Sequence, residues 1–248
     1  MVDAGTTVDV TKVMDAYDYL AERFFLREGH RVNPGYLARK ALSDWTLLMQ
    51  ANPRGKRVLN VGCSEPIDEL IFSRLAKEWV AIDLHKQSLD VAQKILEREM
   101  SDTGQKRVTF QVADATKRLP FADESFDISV SFSTIEHIPT HDGRQAALAE
   151  MVRVTKRGGH VILTEPNRYS LFYLRHRANQ RRGDRTDYGY SYFFTPWELK
   201  RFLQRAGLEI LEFTSENRPV GTVPLWVERL AVPFVYLGER IGYLAKKP

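Results

Sequence analysis

The residues best placed for chemistry fall in three turns, each of which follows a short apolar run. The turn after the first run is built from small residues, which let the backbone approach a ligand closely: Gly62, Cys63 and Ser64. Asp83 ends the second run, 21 residues after Gly62, and a carboxylate there can accept hydrogen bonds from both hydroxyls of a ribose. Asp114 follows the third run and can accept one from the exocyclic amine of an adenine. The spacing therefore predicts a ligand that contains a nucleoside.

The charge of the first turn separates two kinds of nucleoside-containing ligand. A dinucleotide-binding turn needs Gly-x-Gly-x-x-Gly, which leaves room for a pyrophosphate at the helix N-terminus. Here the pattern is Gly62-x-Ser64-x-Pro66, with three carboxylates in or after it: Glu65, Asp68 and Glu69. These carboxylates would repel a pyrophosphate, whereas they suit a ligand with a sulfonium and an ammonium group. The turn therefore favours S-adenosylmethionine over a nicotinamide dinucleotide.

A second group of reactive side chains follows the fourth apolar run: Glu136, His137, His141 and Asp142. A histidine here can take a proton from an acceptor hydroxyl, so His137 and Glu136 are the candidate catalytic residues. The alternative is that His137 only orders its loop through hydrogen bonds. Four such groups can also bind a divalent metal, but Pro139 breaks the helical geometry that would align the two histidines. We therefore expect no metal site.

Alternating strands and helices must position these turns. Apolar and β-branched runs predict seven strands: Arg57–Val61, Trp79–Asp83, Val108–Val112, Phe126–Phe132, His160–Thr164, Leu208–Phe213 and Ile241–Lys246. Helical periodicity falls between the strands and also over residues 8–50. The fold class is therefore α/β: a doubly wound, seven-stranded, mostly parallel sheet with helices on both faces.

Two of the predicted helices carry end signals in the sequence. A helix from Ala146 to Val154 is expected to stop at Gly158-Gly159, because glycine is common just after a helix. Another helix is expected to begin after Thr195, where Pro196 and Glu198 complete a capping pattern.

The 248 residues are long enough for one sizeable domain. We expect a helical cap over residues 1–55 and a cofactor-binding core over 56–213. Residues 167–194 and 215–240 do not fit the alternation, and we interpret them as insertions on the acceptor side. The formal net charge is +4, and six arginines against two aspartates between Asn167 and Asp187 account for all of it. This local excess points to an anionic partner or surface rather than to a protein that coats nucleic acid.

The sequence also bears on where the protein works. A single cysteine excludes an intramolecular disulfide, which fits a reducing compartment. The first ten residues lack the features of a secretory signal, and no apolar run approaches the ~18 residues that a membrane span needs. The expected location is the cytoplasm, with contact to a membrane surface left open.

Several segments together resemble the class I S-adenosylmethionine-dependent methyltransferases. The resemblance is to the methyltransferase type 11 group, which includes quinone-biosynthesis and other small-molecule O- and C-methyltransferases. The matching segments are Arg57–Pro66, Val80–Asp83, Val112–Ala115, Phe121–Pro139 and Glu150–Pro166. The string LPFADESFDISVSFSTIEHIP is the most specific, because that group typically has LPF-x-D-x-SFD before strand four and an EH-hydrophobe-P turn after it.

The resemblance implies roles for the matching residues. Those implied for the cofactor are Asn60, Gly62, Cys63, Ser64, Asp83, Leu84, Asp114, Ala115, Ser131 and Phe132. Asp83 would bind the ribose beside Leu84, and His137 would lie between cofactor and acceptor. The chain departs from the group in having Asn60 for an acidic residue and Ser64-Glu65-Pro66 for Gly-x-Gly. These departures leave open a non-catalytic scaffold or regulatory protein with a weakened cofactor site.

The acceptor side is expected to bind a small molecule that is lipid-like or anionic. Arginines interleaved with aromatics suit a lid over a partly apolar, partly anionic acceptor, and methylation is expected at oxygen. The candidate acceptor-binding residues are Arg168, Tyr169, Arg175, Tyr192 and Trp226. No nucleic acid is expected as a partner. An RNA methyltransferase is a further alternative, but only the arginine-rich segment supports it.

Overall fold

The computed structural model describes residues 43–63, 66–100, 107–170, 173, 174, 177, 191–215 and 236–248. The helical prediction for residues 8–42 lies outside these ranges, and so do most of the two predicted insertions. Three predicted site residues also lie outside the described residues: Ser64, Arg175 and Trp226.

Seven strands of the described chain form one sheet, as predicted. They are β1 (Arg57–Val61), β2 (Glu78–Asp83), β3 (Val108–Val112), β4 (Phe126–Phe132), β5 (Thr155–Pro166), β6 (Glu209–Ser215) and β7 (Arg240–Lys246). Their order is β3-β2-β1-β4-β5-β7-β6. Strands β1 to β5 pair in parallel, whereas β7 runs antiparallel to both β5 and β6. The order reverses between β1 and β4, and the crevice outside such a reversal is where open α/β sheets bind ligands.

Helices cover both faces of the sheet, which confirms the doubly wound arrangement. They are α1 (described over residues 43–50), α2 (Ile67–Phe72), α3 (Lys86–Glu99), α4 (His141–Val154) and α5 (Pro196–Arg205). On one face, Leu48 of α1 and Leu89 of α3 pack in a cluster with Val58. On the other face, Leu148 of α4 packs in a cluster with Leu59. Neighbouring residues of β1 thus point to opposite faces, because side chains alternate along a strand.

The start of α5 is capped as the sequence predicts. The Glu198 N–H donates to Thr195 Oγ1 at 3.1 Å, and the Thr195 N–H donates to Glu198 Oε2 at 3.3 Å. Pro196 occupies the first turn, where its missing N–H costs nothing.

The region between α4 and β5 differs from the prediction. Helix α4 begins five residues before Ala146, with Thr140 as its cap, and ends at Val154. Strand β5 follows at once, so Gly158 and Gly159 lie within it and do not end a helix. Gly158 has a positive φ, and a Cβ on Gly159 would lie 2.7 Å from the carbonyl oxygen of Asp127. The two glycines allow an irregularity in the pairing of β4 with β5, which is a common role of glycine in strands.

Candidate active site

The turn after β1 lies against the turn after β4, at the point where the strand order reverses. Gly62 has a φ of +81°, and a Cβ there would overlap the Thr134 side chain. Thr134 Oγ1 donates to the Gly62 carbonyl oxygen at 3.0 Å. The N–H groups of Gly62 and Cys63 both donate to the carbonyl of Ile82, at 2.7 and 3.2 Å. Only glycine fits this position, and Thr134 is a residue of the site that sequence reasoning missed.

Asp83, the last residue of β2, and Asp114, two residues after β3, lie at the ends of neighbouring strands. Asp83 pairs with the last residue of β3, and its carbonyl accepts the N–H of Ala113 at 2.9 Å. Each carboxylate is held by its own turn: Asp83 Oδ1 accepts the His85 N–H at 2.8 Å, and Asp114 Oδ1 accepts from the Thr116 N–H and hydroxyl. The hydrogen bond from the Thr116 hydroxyl is the largest of the effects that lower the pKa of Asp114. Both side chains are partly exposed, and both carboxylates lie at the same edge of the sheet.

Leu84 and Ala115 flank these carboxylates. Leu84 directly follows Asp83 and is 69% exposed, an unusual exposure for a leucine beside a buried strand. Ala115 follows Asp114, is partly buried, and packs against the cluster that contains Leu59. The edge of the sheet therefore presents apolar surface next to each carboxylate.

The carboxylates after the first turn do not all face a ligand, which corrects the electrostatic argument from sequence. Glu69 is fully buried, and Asp68 is 6% exposed. Glu69 Oε1 accepts hydrogen bonds from Asn60 Nδ2 at 2.7 Å and from Trp79 Nε1 at 3.0 Å. Burial, followed by the charge of Asp68, raises the pKa of Glu69 to about 7. Asn60 therefore keeps a carboxylate partner, which comes from α2.

Cys63, Ser131 and Phe132 are buried at the ends of β1 and β4. Burial is the largest cause that raises the pKa of the Cys63 thiol, so the thiol is a poor nucleophile. The Phe132 ring packs edge-on against Phe72 with ring centres 6.0 Å apart. The Phe132 ring therefore lies in the apolar cluster on one face of the sheet.

Glu136 and His137 lie in a single 3-10 turn after β4, and they differ in exposure. His137 has 40% of its side chain exposed, whereas Glu136 has 10% of its side chain exposed. His137 Nε2 lies 3.3 Å from Glu136 Oε1. The Glu136 N–H donates to Glu165 Oε2 at 3.2 Å, and the Tyr192 N–H donates to the Glu136 carbonyl at 2.8 Å. Glu136 thus contacts the histidine from the buried side of this turn.

A buried arginine lies beside these carboxylates. Arg240, the first residue of β7, is 2% exposed. It donates to Ser133 Oγ at 2.9 Å and to Thr164 Oγ1 at 2.6 Å, and its Nη2 lies 3.4 Å from Asp44 Oδ1 of α1. Its positive charge also acts on Glu165. No sequence pattern identified Glu165, near the end of β5, or Arg240, at the start of β7, because their partners lie far away along the chain.

The described ends of the two insertions meet at Asn167, which is fully buried. Asn167 Nδ2 donates to the carbonyls of Tyr236 and Gly238, at 2.8 and 2.7 Å. The Arg168 N–H donates to the Phe194 carbonyl at 2.8 Å. Both segments therefore leave and rejoin the fold at one place, beyond the end of β5.

The described acceptor-side candidates have partners within this junction. Arg168 Nε donates to the Phe193 carbonyl at 2.9 Å, and its guanidinium lies 5.2 Å from the Tyr192 ring centre. The Tyr192 hydroxyl donates to Glu198, and Arg144 stacks over its ring at 4.0 Å. Tyr169 is 46% exposed and packs edge-on against Trp197. Arg168 and Tyr192 thus stabilise this junction through contacts within the protein. Tyr169 is more exposed than either of them.

Two further findings concern metals and membranes. The described residues contain no group of three or more His, Cys, Asp or Glu side chains with metal-binding geometry. Within the same ranges, no helix has the length and apolar character that crossing a membrane requires.

Comparisons with known proteins give the chain a family. Residues 59–163 match the family described as a methyltransferase domain. A ubiquinone biosynthesis O-methyltransferase from Aromatoleum aromaticum is 30% identical over 187 residues, which cover 74% of each chain. The chain belongs to the class I S-adenosylmethionine-dependent methyltransferases.

Other similarities agree with this assignment. A ubiquinone biosynthesis O-methyltransferase from Aeromonas salmonicida is 24% identical over 224 residues, which cover 86% of this chain and 87% of that protein. The crystal structure of a putative methyltransferase from Bacillus halodurans matches with a TM-score of 0.61 and 23% identity, covering 83% of this chain and 99% of that one. At that identity the structure shows the fold alone. The sequence prediction of family and fold is confirmed.

S-adenosylmethionine is the cofactor of this methyltransferase, and the described residues fit it. The turn at Gly62 has no room for a side chain. Two partly exposed carboxylates border the adjacent strand ends, beside the exposed Leu84. Carboxylates are the acceptors that ribose hydroxyls and an adenine amine require. The family assignment also favours an enzyme over the scaffold alternative.

Proposed function

We propose that this methyltransferase moves the sulfonium methyl group of S-adenosylmethionine to a hydroxyl oxygen of a small-molecule acceptor. The cofactor supplies a methyl group that the sulfonium has already activated. The protein therefore needs to align donor and acceptor and to remove one proton. In this proposal His137 takes that proton while the oxygen forms its bond to the methyl carbon and the bond from carbon to sulfur breaks.

The cofactor residues have distinct parts in the proposal. Asp83 binds the ribose hydroxyls and Leu84 packs near the adenine, whose edge Asp114 and Ala115 hold. The methionine part lies by Gly62, with other contacts assigned to Asn60, Cys63, Ser64, Ser131 and Phe132. The N–H groups of Gly62 and Cys63 already donate to Ile82, so they are not free to bind the cofactor. This turn therefore contributes by letting the backbone lie close to the cofactor.

The contact between His137 and Glu136 is the observation that carries the proposal. If Nε2 of a neutral His137 holds the ring hydrogen, it donates to Glu136 Oε1, 3.3 Å away, and Nδ1 is left as the basic nitrogen. The buried carboxylate then stabilises the imidazolium that forms when Nδ1 takes a proton. His137 is exposed enough to meet an acceptor, and Glu136 is not.

The acceptor in this proposal has an apolar body and an anionic or polyhydroxylated part. Its apolar body suits the aromatic residues at the junction, and its negative charge suits the arginine excess of residues 167–194. Arg168, Tyr169, Arg175, Tyr192 and Trp226 remain the candidate contacts, although Arg168 and Tyr192 also have structural partners. The similar enzymes named for ubiquinone biosynthesis support a small-molecule acceptor of this kind.

A lipid-like acceptor would bring the protein to a membrane surface, and this contact is the second part of the proposal. Exposed aromatic and aliphatic side chains lie together near the junction: Tyr169, Trp197, Tyr236 and Leu237. Such residues suit the interface between headgroups and acyl chains. Sedimentation with anionic and with zwitterionic vesicles tests it, and failure to bind either would leave only a free small-molecule acceptor.

Replacing His137 tests the proposed base. His137→Ala should lower kcat by ~10²–10⁴, measured by methyl transfer to a panel of hydroxylated aromatic acceptors with and without an apolar tail or a carboxylate. His141→Ala is the matched control, because His141 is exposed four residues later at the start of α4. Both variants should bind S-adenosylhomocysteine like the wild type. A loss of only a few-fold in His137→Ala would show that alignment alone drives the transfer.

A further inference from the structure

Two buried carboxyl groups lie in series behind His137. Glu136 reaches His137 Nε2 with one oxygen, and Glu165 Oε2 accepts the backbone N–H of Glu136 at 3.2 Å. Both side chains are buried, and this contact places the Glu165 carboxyl beside residue 136. Two like charges at neighbouring buried positions repel each other, which favours a proton on one of the pair.

The surrounding charges indicate which state the pair adopts. Asp44 of α1 and Arg240 of β7 lie at the other end of the same buried cluster. With all three carboxyl groups ionised, three negative charges at buried residues would be balanced by one buried guanidinium. Burial is the largest cause that raises the pKa of Glu165, and the charge of Glu136 raises it further, against the opposing charge of Arg240.

We propose that Glu165 is a protonated hydrogen-bond donor that holds the Glu136 carboxylate against His137, and so is a positioning residue for methyl transfer. This inference rests on the proposed role of His137. Glu165 keeps its proton throughout, so the proton of the acceptor ends on His137 and no further transfer is required. Burial of the whole Glu165 side chain also opposes its ionisation.

The proposal predicts an alkaline limit to activity. Protonation of His137 removes the base at low pH, whereas ionisation of Glu165 at high pH places two like charges side by side and displaces Glu136. The plot of kcat against pH should therefore fall on both sides. Glu165→Gln supplies a neutral donor at every pH, so it should keep near-normal kcat and lose the alkaline fall. Glu165→Ala supplies no donor, and its kcat should drop about tenfold or more.

The test combines these pH profiles with infrared spectroscopy of the enzyme without acceptor. Measured above pH 8, where Glu69 is largely ionised, the carbonyl stretch of a protonated carboxyl should be present in the wild type and disappear as the pH rises further, and it should be missing in Glu165→Gln. Asp44→Asn is the control, because it changes another carboxyl of the cluster and should keep both the stretch and the alkaline fall. An alkaline fall that persists in Glu165→Gln overturns the proposal, and so does a wild type without the stretch.

The outcomes separate this inference from the proposed function. If His137→Ala retains near-normal turnover, the general base is refuted whatever Glu165 does, and the positioning role falls with it. If His137→Ala is inactive while Glu165→Gln and Glu165→Ala both behave as the wild type, His137 remains the base and only the role of Glu165 is refuted. A Glu165→Ala variant that fails to fold leaves Glu165→Gln to decide.

Discussion

The two sides of the sheet edge handle charge in opposite ways. At the ends of β1 to β3, which we propose as the cofactor half, Asp83 and Asp114 are partly exposed, and each is held by a residue two positions along the chain. At the ends of β4, β5 and β7, which we propose as the acceptor half, Glu136, Glu165 and Arg240 are buried. There the partners come from afar: Asp44 is 196 residues from Arg240.

This difference shows how the sequence specifies each half of the site. A short turn fixes a carboxylate whose ligand arrives from solvent, so the cofactor half needs only local sequence. Buried charges need partners from several elements, because an unpaired buried charge is strongly unfavourable. The acceptor half is therefore assembled by the whole fold, and its charges should couple stability to catalysis.

Removing the buried arginine should give the largest loss of stability. Arg240→Met leaves the carboxylates of the acceptor half without their cation and should lower the free energy of unfolding by about 3–5 kcal/mol. Lys86→Met is the matched control, because Lys86 pairs with Asp90 on the exposed surface of α3, and should cost about 0.3–0.5 kcal/mol. Urea denaturation measures both losses. Equal losses would show that the buried cluster stabilises the protein no more than an exposed ion pair does.

A methyl group at Gly62 should have the next largest effect. Gly62→Ala adds a Cβ that overlaps Thr134, in addition to the strain of a positive φ, and should cost about 3 kcal/mol or more. Gly55→Ala has a similar φ of +74° but open space around it, and should cost about 1–2 kcal/mol. The two variants share the change in the unfolded chain, so the difference isolates the clash. If both cost the same in thermal unfolding, the contact between the two turns is not tight.

Glu69 is a buried exception within the cofactor half and predicts a smaller, pH-dependent effect. Its pKa of about 7 lies above that of an unfolded glutamate, so the native state binds the extra proton between those values. Stability from this group is therefore greatest at low pH and falls as the pH rises towards 7 and above. Between pH 5 and pH 8, Glu69→Gln should remove about 2–3 kcal/mol of that fall while still accepting from Asn60 and Trp79.

The stability of Glu69→Gln and of the wild type would be compared by urea denaturation between pH 5 and pH 8, a range set by the ~4.3 of a free glutamate and the raised value. Glu209→Gln, on the exposed surface of β6, is the control and should follow the wild type. A Glu69→Gln curve parallel to that of the wild type would contradict the raised pKa.

Much of the fold could be predicted because its signals are local. The apolar runs placed all seven strands, and Thr195 with Glu198 marked the start of α5. The start of α4 was missed because its first turn, His141-Asp142-Gly143, is polar and lacks the apolar period. The start of β5 was missed because Gly158-Gly159 is read equally well as a helix end or as an irregular strand.

The site divides in the same way. Gly62, Asp83 and Asp114 stand at turns that their neighbours define, so spacing alone was informative. Thr134, Glu165 and Arg240 gain their meaning from contacts across 72, 29 and 76 residues of chain, which no local pattern contains. Glu69 was assigned to the wrong environment because its position after the first turn does not reveal which face of α2 is buried.

The most direct test of the account is calorimetric titration with S-adenosylhomocysteine. The wild type should bind one equivalent. Asp83→Ala should remain folded and bind more weakly by about 1.5–3 kcal/mol, roughly 10- to 150-fold in affinity. Asp90→Ala, on the exposed face of α3, should bind like the wild type. A wild type that does not bind, or a folded Asp83→Ala with unchanged affinity, would contradict the claim that the ends of β1 to β3 hold the cofactor.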